Sequence, residues 1–235
     1  MTGTLINVCA VLAGTLVGVL AGGRMPEGVQ HRVLAGLGMV TLVLGIDNAL
    51  AWREAPERLI LSVMFAVLLG GIAGELLRIE DRLQSLGDRL QERFARGDGG
   101  SRVSEAFFTA SLLFCVGPLT VLGSINDGLR GDTELLVTKS ILDGFASIAL
   151  AAALGPGVAL AAVSVLIIQG GISLGAGLFE DVLTGEPLAA LTSAGGVLIV
   201  GISLRLLEIR DVKVGNYLPA LVFAPLIAAL AQAVV

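Results

Sequence analysis

Along the whole chain, apolar residues gather in blocks near 20 long, separated by short polar joins. The blocks run approximately Thr4–Gly23, Val33–Leu50, Leu59–Leu76, Ala106–Gly123, Leu135–Leu154, Pro156–Phe179, Leu188–Leu207 and Tyr217–Val235. A helix needs about 20 apolar residues to cross roughly 30 Å of hydrocarbon. The pattern therefore predicts an all-α fold, a polytopic membrane helix bundle of about eight crossings, as a single transmembrane domain over 1–235. The joins carry turn residues such as Met25-Pro26-Glu27-Gly28 and Leu154-Gly155-Pro156-Gly157, which suit tight connections between antiparallel neighbours. The first block has no basic leader and exceeds the roughly 7–15 apolar residues of a secretory signal, so it reads as a retained crossing.

One join differs. From Leu77 to Arg102 the chain is rich in Arg, Glu and Asp, while Leu76, Ile79, Leu83, Leu86, Leu90 and Phe94 recur at spacings of three and four. That spacing predicts an amphipathic helix at about 77–96, ended by Gly97-Asp98-Gly99-Gly100. Such a helix lies in the membrane interface or against the bundle, or pairs with its copy in a homodimer, the oligomer expected here.

Composition sharpens this reading. Hydrophobic residues make up 55% of the chain and charged residues 15%, with a mean hydropathy of +0.90. Soluble domains carry about 25% charged residues. The 32 glycines are what closely packed membrane helices need. The net charge of −5 says little, because the placement of Lys and Arg sets orientation. Eleven of them fall in joins one-two, three-four and seven-eight, against Arg53, Arg58 and Arg130 on the other side. The basic side, including 77–102, is expected in the cytoplasm. Both termini and a loop over Ser124–Thr133 are expected outside.

A weak internal echo adds an architecture. Gly14, Gly18 and Gly22 in the first crossing match Gly171 and Gly175 in the sixth, each followed by an acidic join and a glycine-bearing crossing. Crossings one to three then match six to eight around crossings four and five. The odd offset makes this an inverted repeat, an arrangement common in transporters.

Charges inside membrane helices cost about 2.5–3.5 kcal/mol each at the helix centre on insertion scales, so they mark candidate chemistry. Lys139 and Asp143 lie four apart on one face of the fifth crossing, with Ser147 one turn on and Ser140 beside them. At 1.5 Å per residue Asp143 is roughly 12 Å deep, near the midplane. The functional reading is a polar site for a small solute or ion; the structural alternative is an ion pair that locks the crossing to its neighbours. Gly117-Pro118 predicts a helix break in the fourth crossing, because proline lacks a donor and clashes with the preceding turn. Beyond it, Asn126-Asp127 in the outward loop can return polar groups toward the membrane. Gln169 in the sixth crossing, with Ser173 one turn on, and Asn7 in the first are weaker binding candidates. Asp47, Glu75, Glu105, Arg205 and Glu208 lie near crossing ends, where snorkelling or headgroup contact accounts for them.

No enzyme is expected. The chain has no nucleophile elbow, phosphate-binding loop or zinc motif, and its single histidine, His31, sits in a join. Cys9 and Cys115 fall in apolar blocks and read as packing residues. No cofactor, metal or nucleic acid is expected; the partners are the lipid bilayer and a small solute or ion.

The stretches Phe114-Cys115-x-Gly117, Leu122-Gly123-Ser124-Ile125-Asn126-Asp127-Gly128-Leu129-x-Gly131-Asp132 and Lys139-Ser140-x-Leu142-Asp143 form a distinctive motif. With Ile6-Asn7, Gly14, Gly18, Ile167-Ile168-Gln169 and Asn216-x-Leu218-Pro219-Ala220-Leu221, the whole chain resembles the bacterial inner-membrane family typified by YdfK and YqgA. The family is a domain of unknown function. The resemblance implies a bacterial inner-membrane protein for which transport is a suggested role, and it supplies no substrate. The sequence thus reads as a transporter or channel with its site on crossings four to six. The rival class is a sensor or assembly protein acting through the amphipathic helix.

This topology is testable with reporter fusions. Fusions after Gly100 should report the cytoplasm, and fusions after Asp132 or Val235 the outside. A cytoplasmic C-terminus would mean an odd number of crossings.

Overall fold

The computed structural model describes residues 1–22, 26–82, 85, 100–115, 118–178 and 183–233. The helices are α1 (Thr2–Gly22), α2 (Glu27–Ala49), α3 (Arg58–Leu76), α4 (Gly100–Cys115), α5 (Pro118–Arg130), α6 (Glu134–Leu154), α7 (Ala161–Leu174), α8 (Gly185–Leu206) and α9 (Ala220–Ala233). Short 3-10 turns at Leu50–Glu54, Pro156–Leu160 and Val214–Tyr217 leave α2 and lead into α7 and α9. No strand occurs among the described residues. Seven stretches are long and apolar enough to cross a membrane, and α4 with α5 makes an eighth as a pair bent by 61°. Of the expected amphipathic helix at about 77–96, residues 77–82 and 85 are described: 77 and 78 form a turn with Arg78 left-handed at φ 49°, which corrects the expected start, 79–82 and 85 are helical, and the rest lies outside the described residues.

Two compact units emerge. The first takes Met1–Leu37, Asp81–Cys115 and Leu119–Ala176. Within it, α1 and α6 run parallel. Side chains added at Gly3, Gly14, Gly18 and Gly22 would meet Leu136, Gly144 with Ser147, Ile148 with Ala151, and Ala152 in turn. At Gly14, Gly18 and Gly22 the obstacle is a backbone carbonyl oxygen, so only glycine lets these helices come so close.

The bent pair behaves as one broken crossing. Gly157 abuts Val103 and Ala106, Ser111 bonds Ser164 at 2.9 Å, and Gly128 abuts Ser173 and Ala176. Contacts thus advance along α4–α5 and along Pro156–Ala176 in the same direction, over about 25 Å. A re-entrant loop would return to its starting level. The break has a local cause. Pro118 opens α5 and has no N–H for the Phe114 carbonyl four residues back. The Thr120 hydroxyl donates to that carbonyl instead, at 3.0 Å.

The stretch Ser124–Thr133 is largely helical, which corrects the expected outward loop. α5 continues through Asn126-Asp127-Gly128 and stops at Gly131, whose left-handed φ of 67° lets its N–H reach the Asp127 carbonyl at 3.2 Å. The stop is therefore Gly131, and Gly128 is a packing position. Asp132 then accepts the Glu134 N–H at 3.0 Å and starts α6.

The second unit takes Gly38–Glu80, Val116–Pro118 and Gly177–Val235. Here α2 and α8 are antiparallel: Gly38 faces Leu207, Gly45 faces Val200, and Ala49 faces Gly196. α3 and α9 are antiparallel too, with Gly70 on Ala220 and Gly74 on the Asn216 backbone. Leu59, Val63, Ala66, Ala190, Ala194, Ala224 and Ala228 form the core between α3, α8 and α9.

The glycine packing makes a stability prediction. Gly14→Ala or Gly18→Ala must push backbone from backbone and should cost on the order of 1–3 kcal/mol. Gly171→Ala, with nothing within 4 Å of the added carbon, should be neutral or stabilising. Thermal unfolding in detergent separates the two.

Candidate functional site

The closest polar cluster of the first unit follows from the α1–α6 register. Asn7 on α1 donates its amide to Asp143 Oδ2 at 2.9 Å. The same oxygen takes the Lys139 ammonium, one turn back on α6. Lys139 also sits 5.9 Å from the centre of the Phe114 ring, which the last turn of α4 supplies. Lys139 and Asp143 are only 5% and 6% exposed and Asn7 is fully buried. The predicted pair is thus a triad with an aromatic wall, built by three crossings.

The same unit holds buried polar groups without a hydrogen-bond partner among the described residues. Among the described residues, no hydrogen-bond partner reaches Thr4 Oγ1, Asn7 Oδ1, Ser124 Oγ, Ser147 Oγ or either amide atom of Gln169. Thr4 and Asn7 share a face of α1, and Ser147 continues the Lys139–Asp143 face of α6. Gln169 is fully buried on α7, one turn from Ser173, whose hydroxyl donates to the Ser124 carbonyl at 3.0 Å.

Other predicted residues are placed differently. Ser140 is buried but donates to the Leu136 carbonyl of its own helix at 2.6 Å. Asn126 is half-buried on α5, and Asp127 pairs with the Met1 amino group at 2.8 Å. Gly117 lies outside the described residues, whereas Pro118 begins α5 as the break requires. No group of three or more His, Cys, Asp or Glu residues suited to a metal converges among the described residues.

The sequence reading missed a second network, in the second unit. Asn216 donates to Glu75 at 2.6 Å and accepts the Glu80 N–H at 2.8 Å. Buried Glu80 accepts the Gly215 N–H at 2.6 Å and lies 3.4 Å from Arg205. Glu75 and Arg205 therefore have partners within the unit, which corrects the snorkelling account. The signal available was Asn216, whose amide needs partners near a helix start. Phe114 and Thr4 were missed as well; Thr4-x-x-Asn7 is an i,i+3 pair that a polar face would have flagged.

Fold and site define a polytopic helical membrane protein with a buried, charged cluster at membrane depth. The chain belongs to the family described as "Protein of unknown function (DUF554)", which it matches over residues 2–229. It is similar to "Uncharacterized membrane protein YdfK" of Bacillus subtilis (strain 168), at 31% identity covering 97% of this chain and 95% of that protein. It is likewise similar to "Uncharacterized protein YqgA" of Escherichia coli (strain K12), at 31% identity covering 97% and 96%. No solved structure matches it.

The triad carries a stability prediction. Asp143→Asn or Lys139→Met leaves one charge among amides and an aromatic ring, which typically costs about 3–5 kcal/mol where no water enters. Where a solute path admits water the orphaned charge stays solvated, so each single variant should lose much less than that and the double variant Lys139→Met/Asp143→Asn should recover little further. Thermal unfolding of the three proteins measures the coupling directly.

Proposed function

We propose that this protein is a non-enzymatic transporter or channel of the bacterial inner membrane, moving a small solute or ion past the Asn7–Lys139–Asp143 triad. The observation that carries the reading is Gln169, fully buried with no hydrogen-bond partner for either amide atom among the described residues. An unsatisfied buried polar group costs about 1–3 kcal/mol. Thr4, Asn7, Ser147 and Ser124 each add a further atom of this kind in the same unit. A packed bundle that only had to stand in lipid would gain stability by replacing them with apolar residues. A path for a hydrated solute explains why they are retained.

Two further features support transport. The broken crossing α4–α5 brings a bend of 61° to membrane depth, and breaks there are tolerated where backbone is buried in protein or lines a cavity. Within the units, the helices that an inverted repeat would equate touch each other: α1 with α7, α2 with α8, and α3 with α9. Met1 lies against Gly170, as an antiparallel α1 and α7 need.

Proteoliposome flux tests the reading. The protein should accelerate movement of at least one member of a panel of alkali cations, halides, small organic ions and amino acids. Gln169→Leu should abolish that flux while unfolding at the same or a higher temperature, because it removes an unsatisfied amide. Flux indistinguishable from empty liposomes across the panel, or full flux in folded Gln169→Leu, would sink the proposal.

A further inference from the structure

The charges buried in the first unit are already balanced. Among its described residues, the buried charged side chains are Asp127, Lys139 and Asp143. Asp127 meets the Met1 amino group, and Lys139 meets Asp143. Lys139 and Asp143 sit one turn apart on α6, so whatever stands at one charge feels the other. A cation drawn to Asp143 is repelled by Lys139, and an anion drawn to Lys139 is repelled by Asp143. An uncharged solute offers neither charge a replacement partner, so opening the pair for it strands both. A solute that carries one charge of each sign differs. It exchanges one opposite charge for another, and every charge stays compensated.

Asn7 makes a second, independent demand. A carboxylate only accepts, so the group 2.9 Å from Asp143 Oδ2 has to be the Asn7 NH2. That fixes the Asn7 carbonyl oxygen on the other branch of the amide, where it is buried without a hydrogen-bond partner among the described residues. It needs a donor, and it needs it beside Asp143. An ammonium brings three N–H groups, enough to meet Asp143 and the Asn7 oxygen together. Thr4 lies three positions before Asn7 on α1, and its buried hydroxyl also has no partner among the described residues. A carboxylate brings acceptors for the Lys139 ammonium and for that hydroxyl. Phe114, its ring centre 5.9 Å from the Lys139 nitrogen, keeps a favourable contact for Lys139 while Asp143 turns to a solute.

We propose that the species carried past the triad is a small zwitterion of the amino-acid class. Its ammonium sits at Asp143 and the Asn7 oxygen, and its carboxylate at Lys139. The inference rests on the transport reading and names the substrate class of that site.

Uptake into proteoliposomes of the full chain provides the test, with glycine, alanine, serine and glutamine as zwitterions. Each is matched by its carboxamide, a cation at mildly acid pH, and by its N-acetyl derivative, an anion. Rubidium and chloride complete the set. At least one amino acid should enter faster than into empty liposomes, while its two singly charged derivatives, rubidium and chloride should not. The single variants should move that preference with their charge. Lys139→Met should lose the amino acid on the order of 30-fold and admit its carboxamide; Asp143→Asn should lose it similarly and admit the N-acetyl derivative. A pair that only holds helices together shifts no preference in a folded protein. Flux of rubidium, chloride or a singly charged derivative without flux of any amino acid overturns the zwitterion and leaves the transport reading standing. Unchanged preference in folded single variants overturns it as well. No flux of any probe sinks both readings.

Discussion

In the first unit, α1 lies against α6 with carbonyl oxygens where side chains would otherwise be, at Gly14, Gly18 and Gly22. In lipid no hydrophobic force drives helices together, so close backbone contact and the dispersion it brings have to hold them. That contact also fixes a parallel register, and the register sets Asn7 opposite Asp143. The triad is thus a consequence of packing two turns away. A side chain at Gly14 would part the helices by more than a 2.9 Å hydrogen bond tolerates. The break after Cys115 adds the third wall, because only a chain that bends there brings Phe114 over Lys139 while α5 continues along α7.

Satisfaction of polar groups differs sharply between the two clusters. In the second unit Asn216 uses both ends of its amide, and Glu80 meets Gly215 and Arg205. That network closes on itself and fastens the chain after α3 to the chain before α9. In the first unit Asn7 uses its donor while its oxygen has no partner among the described residues, and Gln169 uses neither. At about 1–3 kcal/mol per unsatisfied group, the difference is comparable to the whole stability of many domains. Closed networks serve folding. Open ones at membrane depth need another reason, and a passing solute is one.

Much of this was legible in the sequence. Block length alone gave the crossings, because hydrocarbon thickness leaves little choice, and Lys139 with Asp143 stood out because charge is rare at that depth. Helix continuation through Asn126-Asp127-Gly128 was not legible. A loop reading was natural for three turn-forming residues, and only Gly131 adopts the left-handed turn that ends the helix. Asn7 looked like an isolated amide, since its partner is 136 positions away and depends on the α1–α6 register. Glu75 and Arg205 looked like interfacial charges for the same reason: their partners come from distant chain segments.

The most direct measurement is water access to Ser147, buried one turn from Asp143 with no hydrogen-bond partner among the described residues. With Cys9 and Cys115 replaced by serine, Ser147→Cys in sealed vesicles is exposed to a charged, membrane-impermeant thiosulfonate, which modifies only a hydrated thiolate. The account predicts modification at Ser147→Cys and none at a lipid-facing control, Leu16→Cys. A Ser147→Cys thiol that stays unmodified from both sides of the membrane, in a folded protein, would contradict a solute path through this unit.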